Sequence, residues 1–193
     1  MVLRHPVATY RIQLTPDFGF DDVIAVLPHI ADLGVSHLYL SPIGTAMPGS
    51  THGYDWVPPP RVAEVLGGID GLTRLRGAAT ELGLGIIIDI VPNHTGVADA
   101  MANPWFADLL AKGAGSEFAD FFDVDFSVDN GADGKIALPV LGTDAGPEDL
   151  TTDDDGSVLR YFDHAFPVAE ATAGGTAAQV HDRQHYRLVP WNS

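Results

Sequence analysis

The stretch at residues 85–94 restricts the fold more than any other part of the chain: Gly85-Ile86-Ile87-Ile88-Asp89-Ile90-Val91-Pro92-Asn93-His94. Its opening is apolar except for Asp89, rich in β-branched residues and too greasy to keep a solvent face. So short a run, after a glycine-flanked helix end, reads as a strand buried on both faces, and such strands belong to parallel α/β sheets. The run then breaks into Pro92, Asn93 and His94, which core packing does not explain. A strand that carries a carboxylate and ends in polar groups is where α/β proteins build their sites.

The upstream sequence supports that reading. Thr9-Tyr10-Arg11-Ile12-Gln13-Leu14 alternates and consists of strand formers, so a first strand is expected over residues 9–14. Phe20-Asp21-Asp22 opens a helix, with acids in the first turn and Val23, Val26, Leu27, Ile30 and Leu33 at helical spacing; Gly34 caps it. Residues 36–41 read as a second strand stopped by Pro42, and residues 69–82 as a second helix ended by Gly83. The order β-α-β-α-β predicts parallel strands joined by right-handed crossovers. Beyond residue 94 the character changes to acids, aromatics and Gly/Asp clusters. A helical pattern covers residues 103–112, short strands fit 158–162 and 184–188, and the small-residue stretch 169–178 reads as a mobile loop. A domain boundary is expected near residue 95.

Charge and composition exclude several roles. A net charge of −16 argues against nucleic acid or an anionic membrane as partner. Between residues 117 and 155 twelve acids face a single base, Lys135, which reads as a solubilising surface. No D-x-D-x-D-G loop supports calcium there. The apolar runs are too short for a bilayer and no leader pattern is visible, so a cytoplasmic protein is expected. With no cysteine, thiol catalysis and thiolate metal ligands are excluded.

Three polar groups are candidates for chemistry. Asp89, Asn93 and His94 end the third strand; singly, Asp89 would be a buried carboxylate paired with an arginine or with backbone amides, and His94 a structural hydrogen-bonding imidazole. His52-Gly53-Tyr54-Asp55 lies in the loop after the second strand, where an aromatic platform beside carboxylates suits a sugar ring. A packed loop held by an Asx turn is the plainer alternative. Arg183-Gln184-His185-Tyr186-Arg187 alternates, putting Gln184 and Tyr186 on one face and His185 and Arg187 on the other, unless it is simply a solvated edge strand. His52, Asp55, Asp89 and His94 are also metal-ligand types, but without H-x-H or H-E-x-x-H spacing no metal and no cofactor are expected.

At these residues the chain resembles a known group. Asp89-Ile90-Val91-Pro92-Asn93-His94 is similar to the first conserved region of the α-amylase superfamily, and Gly53-Tyr54-Asp55 to the element those enzymes carry after the second barrel strand. Thr9-Tyr10-Arg11-Ile12-Gln13-Leu14, Asn103-Pro104-Trp105, Leu138-Pro139-Val140-Leu141-Gly142, Tyr161-Phe162-Asp163-His164 and Arg183-Gln184-His185-Tyr186-Arg187-Leu188 resemble, more narrowly, the maltooligosyl trehalose synthase family. The resemblance implies an α/β chain: the first three β/α units of a TIM (β/α)8 barrel in residues 1–94. Residues 95–193 would be a loop- and strand-rich subdomain inserted between the third strand and third helix, leaving the barrel incomplete.

It further implies intramolecular transglucosylation, in which the reducing-end α-1,4 linkage of a maltooligosaccharide becomes an α,α-1,1 linkage. Such enzymes use a retaining pair, a nucleophilic Asp with a Glu as acid and base. Residue by residue, Tyr54 would stack under a glucose ring and His94 would donate to its primary hydroxyl. Asp55 and Asp89 would hold arginines, Asn93 would tie the strand end to the insertion, and His52, Gln184, His185, Tyr186 and Arg187 would complete the substrate-binding set. The nucleophile segment, of the type R-x-D-H-x-D-G, does not occur, so no catalytic residue is assigned. The expectation is a segment completed by the remainder of the barrel, in the same or a second chain, and inactive alone. A glucan-binding module without turnover and an α-glucan hydrolase or transglucosidase of the same superfamily are the alternatives.

Overall fold

Three short parallel strands form the first sheet in the order β1 (Thr9–Ile12), β2 (His37–Leu40), β3 (Gly85–Ile88). Helix α1 (Phe20–Asp32) lies between the first two in sequence and α2 (Gly68–Glu81) between the second and third. In this computed structural model residues 5–143 and 145–192 are described; Asp144 of the acidic run lies outside them. The chain splits into two units, Met1–Gly96 and Val97–Ser193.

The register makes the two faces of the sheet unlike. Arg11 pairs with Tyr39 and Tyr39 with Ile87, while Ile12 pairs with Leu40 and Leu40 with Ile88. Side chains alternate along a strand, so Ile12, Leu38, Leu40 and Ile86 share one face and join Phe20, Val23, Leu27, Ile30 and Leu75 of the helices in one core. Leu38 and Leu40 are fully buried, each contributing about 2 kcal/mol through removal from water. The opposite face carries Arg11, Tyr39 and, two residues beyond Ile87, Asp89. Helix α1 starts where its acids predict, with the Asp22 carboxylate accepting from the Gly19 N–H at 2.9 Å.

One expectation fails. β3 is not buried on both faces: its first three residues are half-buried and Ile88 is 36% exposed. The reason is its place in the sheet. β3 pairs with β2 along one edge, and among the described residues no strand covers the other.

The segment between β2 and α2 is an ordered loop. Antiparallel bridges Gly44↔Val62 and Ala46↔Trp56 fold it back on itself, and Gly53, at φ +76, makes the tight turn before Tyr54.

The second unit has its own core. Helix α3 (Pro104–Lys112) is capped by buried Asn103, whose side chain accepts from the Trp105 and Phe106 N–H groups. Strand β4 (Ile136–Leu141) pairs in parallel with β8 (Tyr186–Pro190). Strands β5 (Thr151–Thr152), β6 (Val158–Tyr161) and β7 (His164–Pro167) form an antiparallel sheet. The stretch 169–178, expected to be a mobile loop, contains a short 3-10 turn, Glu170–Thr172, and the first two residues of helix α4 (Ala177–Arg183), which follows it. Thr176 and Gln179 cap α4 reciprocally, which stabilises a helix start even among small residues. Among the described residues no helix is long and apolar enough to cross a membrane.

Candidate functional site

The polar face of the first sheet converges on one carboxylate. Asp89 Oδ2 accepts from the Tyr54 hydroxyl at 2.6 Å, from Arg11 at 3.2 Å and from the Tyr39 hydroxyl at 3.2 Å. Arg11 also donates to the Tyr54 oxygen at 2.8 Å and lies over the Tyr39 ring, 4.7 Å from its centroid. The strand register dictates this meeting: residues 11, 39 and 87 stand side by side, and Asp89 follows on the same face just past the carboxyl end of β3. The Tyr54 hydrogen bond, with those of Arg11 and Tyr39, holds the Asp89 carboxyl below its ordinary range, and the same contacts raise Arg11. Asp89 is thus an ionised anchor with its Oδ2 already saturated, unsuited to proton transfer.

Around this anchor the loop residues are individually fixed. The Asp55 carboxylate accepts from the Ser50 hydroxyl at 2.5 Å, and Ser50 accepts in turn from the Gly53 N–H at 3.1 Å. Asp55, expected to hold an arginine, is therefore a loop brace, because the arginine goes to Asp89. His52 Nδ1 accepts from the Tyr54 N–H at 3.1 Å. The same nitrogen lies 3.8 Å from the Asp55 carboxylate. The His52 and Tyr54 rings are stacked with centroids 6.0 Å apart.

His94 Nε2 donates to the Tyr54 carbonyl at 3.1 Å. Its Nδ1 lies 3.1 Å from the Asn93 side chain. A carbonyl can only accept, which puts a proton on Nε2, and the atom of Asn93 that faces Nδ1 is its side-chain oxygen. The donor that the resemblance aims at a sugar hydroxyl is here bound to Tyr54, and a sugar would have to displace that carbonyl. Exposed Asn93 contacts His94 through its side chain. Trp56 Nε1 donates to the His94 carbonyl, and Thr95 Oγ1 donates to the Trp56 carbonyl at 2.8 Å, stitching the two loops together. A largely apolar cleft of about 390 Å³ lies beside Asp89, lined by Pro42, Ile43, Trp56, Val62 and Ile88 among others. Among the described residues no three His, Asp or Glu side chains converge so as to hold a metal ion.

The Arg183 to Leu188 motif divides in two. Gln184 is 1% exposed and saturated: its oxygen accepts from the Ala169 N–H, and its amide donates to Thr172 Oγ1 and the Val180 carbonyl. Tyr186 is fully buried, donates to the Pro167 carbonyl at 3.1 Å, and burial pushes its phenol up. These two were expected to bind substrate. They are core residues instead: Tyr186 lies on the face of β8 that packs inward, and Gln184, the residue that ends α4, turns back onto that helix and the Ala169 turn. His185 stays exposed and Arg187 half-buried on the other face, with Arg187 3.5 Å from Asp133.

Arg11 and Tyr39 were missed as site residues. No feature of residues 9–14 singles out Arg11, and both Arg11 and Tyr39 become significant only through the register.

Comparison with known proteins follows the same lines. The family model described as alpha amylase, catalytic domain, matches residues 19–157. A Mycobacterium tuberculosis (strain CDC 1551 / Oshkosh) protein that carries the name maltooligosyl trehalose synthase is 50% identical over 190 residues, 96% of this chain and 24% of that protein. The structure of maltooligosyltrehalose synthase from Arthrobacter ramosus superposes with a TM-score of 0.90 at 46% identity, over 96% of this chain and 24% of that one. The malto-oligosyltrehalose trehalohydrolase of the same Mycobacterium tuberculosis strain is 32% identical over 117 residues, 55% of this chain and 20% of that protein. The chain thus spans about a quarter of the length of the synthases it matches. The three-stranded sheet is part of a TIM-barrel-type α/β fold, and the chain belongs to the alpha-amylase catalytic-domain family.

Proposed function

We propose that this chain is the N-terminal, substrate-holding part of an enzyme that rearranges the reducing-end α-1,4 linkage of a maltooligosaccharide into an α,α-1,1 linkage. The observation that carries the proposal is the Arg11–Tyr54–Asp89 network, which fixes an aromatic ring at the carboxyl ends of parallel strands beside His94. A tyrosine locked through its hydroxyl offers its ring face to a sugar's C–H groups at little entropic cost. The 50% identity to the Mycobacterium tuberculosis protein over 96% of this chain narrows the substrate class from α-glucans generally to maltooligosaccharides.

In this reading Tyr54 and His94 contact a glucose unit, and His52, Asp55, Asp89 and Asn93 shape the loops that hold them. His185 and Arg187 contribute from residues 95–193, read as a subdomain inserted after the third barrel strand, with residues 1–94 as the first barrel units. The retaining pair of carboxylates comes from the remainder of the barrel, so these residues hold the sugar and do not break the bond. A non-catalytic glucan-binding module would show the same contacts without turnover.

The test is made in the complete enzyme with maltopentaose, reading trehalose-ended product with a trehalase-coupled assay and release of glucose with glucose oxidase. Tyr54→Ala and His94→Ala are expected to lower turnover at least tenfold, on the order of what one lost stacking or hydrogen-bonding contact costs. The loss of stability should be small beside the loss of turnover. Unfolded variants whose folded fraction retains normal specific activity would remove both residues from the site.

A further inference from the structure

The second unit presents an aromatic side chain that its own core does not need. Strands β6 and β7 pair Tyr161 with His164, leaving a two-residue hairpin loop, Phe162-Asp163. Phe162 adopts φ +48, and Asp163 is not in the positive-φ region. In two-residue hairpins with a positive φ at the first loop position, that position is the preserve of glycine. A bulky residue there is an outlier whose Cβ crowds the backbone.

Strain of this kind persists only where the surrounding structure holds it in place, and it clusters at sites that bind or act. The ring is 79% exposed, so it contributes little to the core. One exposed apolar residue is ordinary on a protein surface; one held in a glycine conformation is not.

Its base is rigid. The Phe162 ring stands edge-on to Tyr161, with centroids 4.8 Å apart and planes at 78°. Tyr161 is 6% exposed, and its hydroxyl accepts from the Gly142 N–H at 3.0 Å. Behind it the His164 ring stacks on Phe166, which meets fully buried Tyr186. The next residue in the hairpin loop, exposed Asp163, supplies a carboxylate acceptor. A pre-fixed phenyl face next to a carboxylate is suited to a glucose unit, whose C–H groups stack while its hydroxyls donate.

We infer that Phe162 and Asp163, at the tip of the β6–β7 hairpin, form a second α-glucan subsite, on the second unit, in which the Phe162 ring is the stacking platform. The inference rests on the α-glucan reading above but names residues outside the Tyr54 site.

The test titrates maltoheptaose into the isotopically labelled complete enzyme, following amide resonances of residues 158–167 separately from those of residues 50–56. Phe162→Gly removes the ring and relieves the backbone; Phe162→Ala removes the ring and keeps the strained conformation. Both should weaken binding at the hairpin roughly five- to tenfold, a typical loss for one stacking contact. Phe162→Gly alone should raise the unfolding temperature by about 3 °C or more. Unchanged hairpin binding in both variants, as expected if a protein surface covers the ring, overturns the inference. So does a lowered unfolding temperature in Phe162→Gly, which would make the ring structural. Tyr54→Ala serves as the separating arm. If it abolishes shifts at residues 50–56 while the hairpin never responds, the second subsite fails and the first stands. If the hairpin alone responds, the first fails. Absence of any shift in the unaltered enzyme overturns both.

Discussion

Two ionisable residues tie local geometry to measurable pH dependence, with different windows. Asp89 is held below the usual carboxylate range, first by Tyr54 and then by Arg11 and Tyr39. A depressed carboxyl stabilises the fold above its unfolded value of about 3.9, and the contribution is lost as pH falls through the lower folded value. Asp89→Asn is therefore expected to flatten the acid limb of stability below about pH 4, measured as urea midpoint against pH. An unchanged limb would show that the network does not hold the charge. His181, 6% exposed, accepts the Leu188 N–H on Nε2 at 3.0 Å, and burial lowers its pKa. Its neutral ring stabilises fully above about pH 6.5, and that stability is lost as pH falls through the folded value. His181→Gln, which keeps an acceptor for Leu188, should remove the slope just below about pH 6.5 in the same titration. The two residues also mark what sequence could reveal. Asp89 was readable as an arginine-paired carboxylate because a charge inside an apolar strand demands a partner. His181 was not, because its partner is a backbone N–H seven residues on that only the folding of α4 beside β8 brings to it.

At the scale of elements, the first unit was legible and its contacts were not. Apolar spacing located β1 to β3, α1 and α2 to within a few residues, since each buries one regular face. The α4 helix was hidden by its small residues; its one signal was Thr176 followed three residues later by Gln179, a capping box. The alternation of residues 184–188 was readable, but which face turns inward was not, and Gln184 and Tyr186 went to the core. Close approach is another property that only the structure supplies. Gly85 pairs with His37 across β2 and β3, and a Cβ there would lie 2.2 Å from His37 Cδ2. His37 is itself buried, at 7% exposure, and its Nδ1 is within 2.9 Å of Ser36 Oγ, so the ring has little room to yield. Gly85→Ala is expected to destabilise the chain by about 1–3 kcal/mol through overpacking, read from chemical denaturation. His37→Ala in the same background should recover part of that loss. A Gly85→Ala variant as stable as the parent would mean that the ring swings away freely.

For the whole molecule the decisive feature is the sheet's two open edges. Among the described residues β1 and β3 each lack a partner on one side, and next to the open edge of β3 Ile90 is 72% exposed. Unpaired strand edges are templates for association, and parallel strands of a barrel are normally paired on both sides. Against association stands a net charge of −16, which makes copies of the chain repel one another. The balance depends on salt. Edge pairing acts through backbone hydrogen bonds and apolar contact, whereas repulsion is screened within about 10 Å at 0.1 M ionic strength and about 3 Å at 1 M. The isolated 193-residue chain is therefore expected to move from monomer toward oligomers as salt is raised from roughly 20 mM to 1 M, followed as mass by light scattering. Ile90→Lys, which charges the flank of β3 without touching the α1–α2 core, should shift that transition to higher salt. A monomeric mass at every ionic strength would show that the edges are protected within the chain itself, and with it would go the physical reason for supposing that further strands complete this sheet.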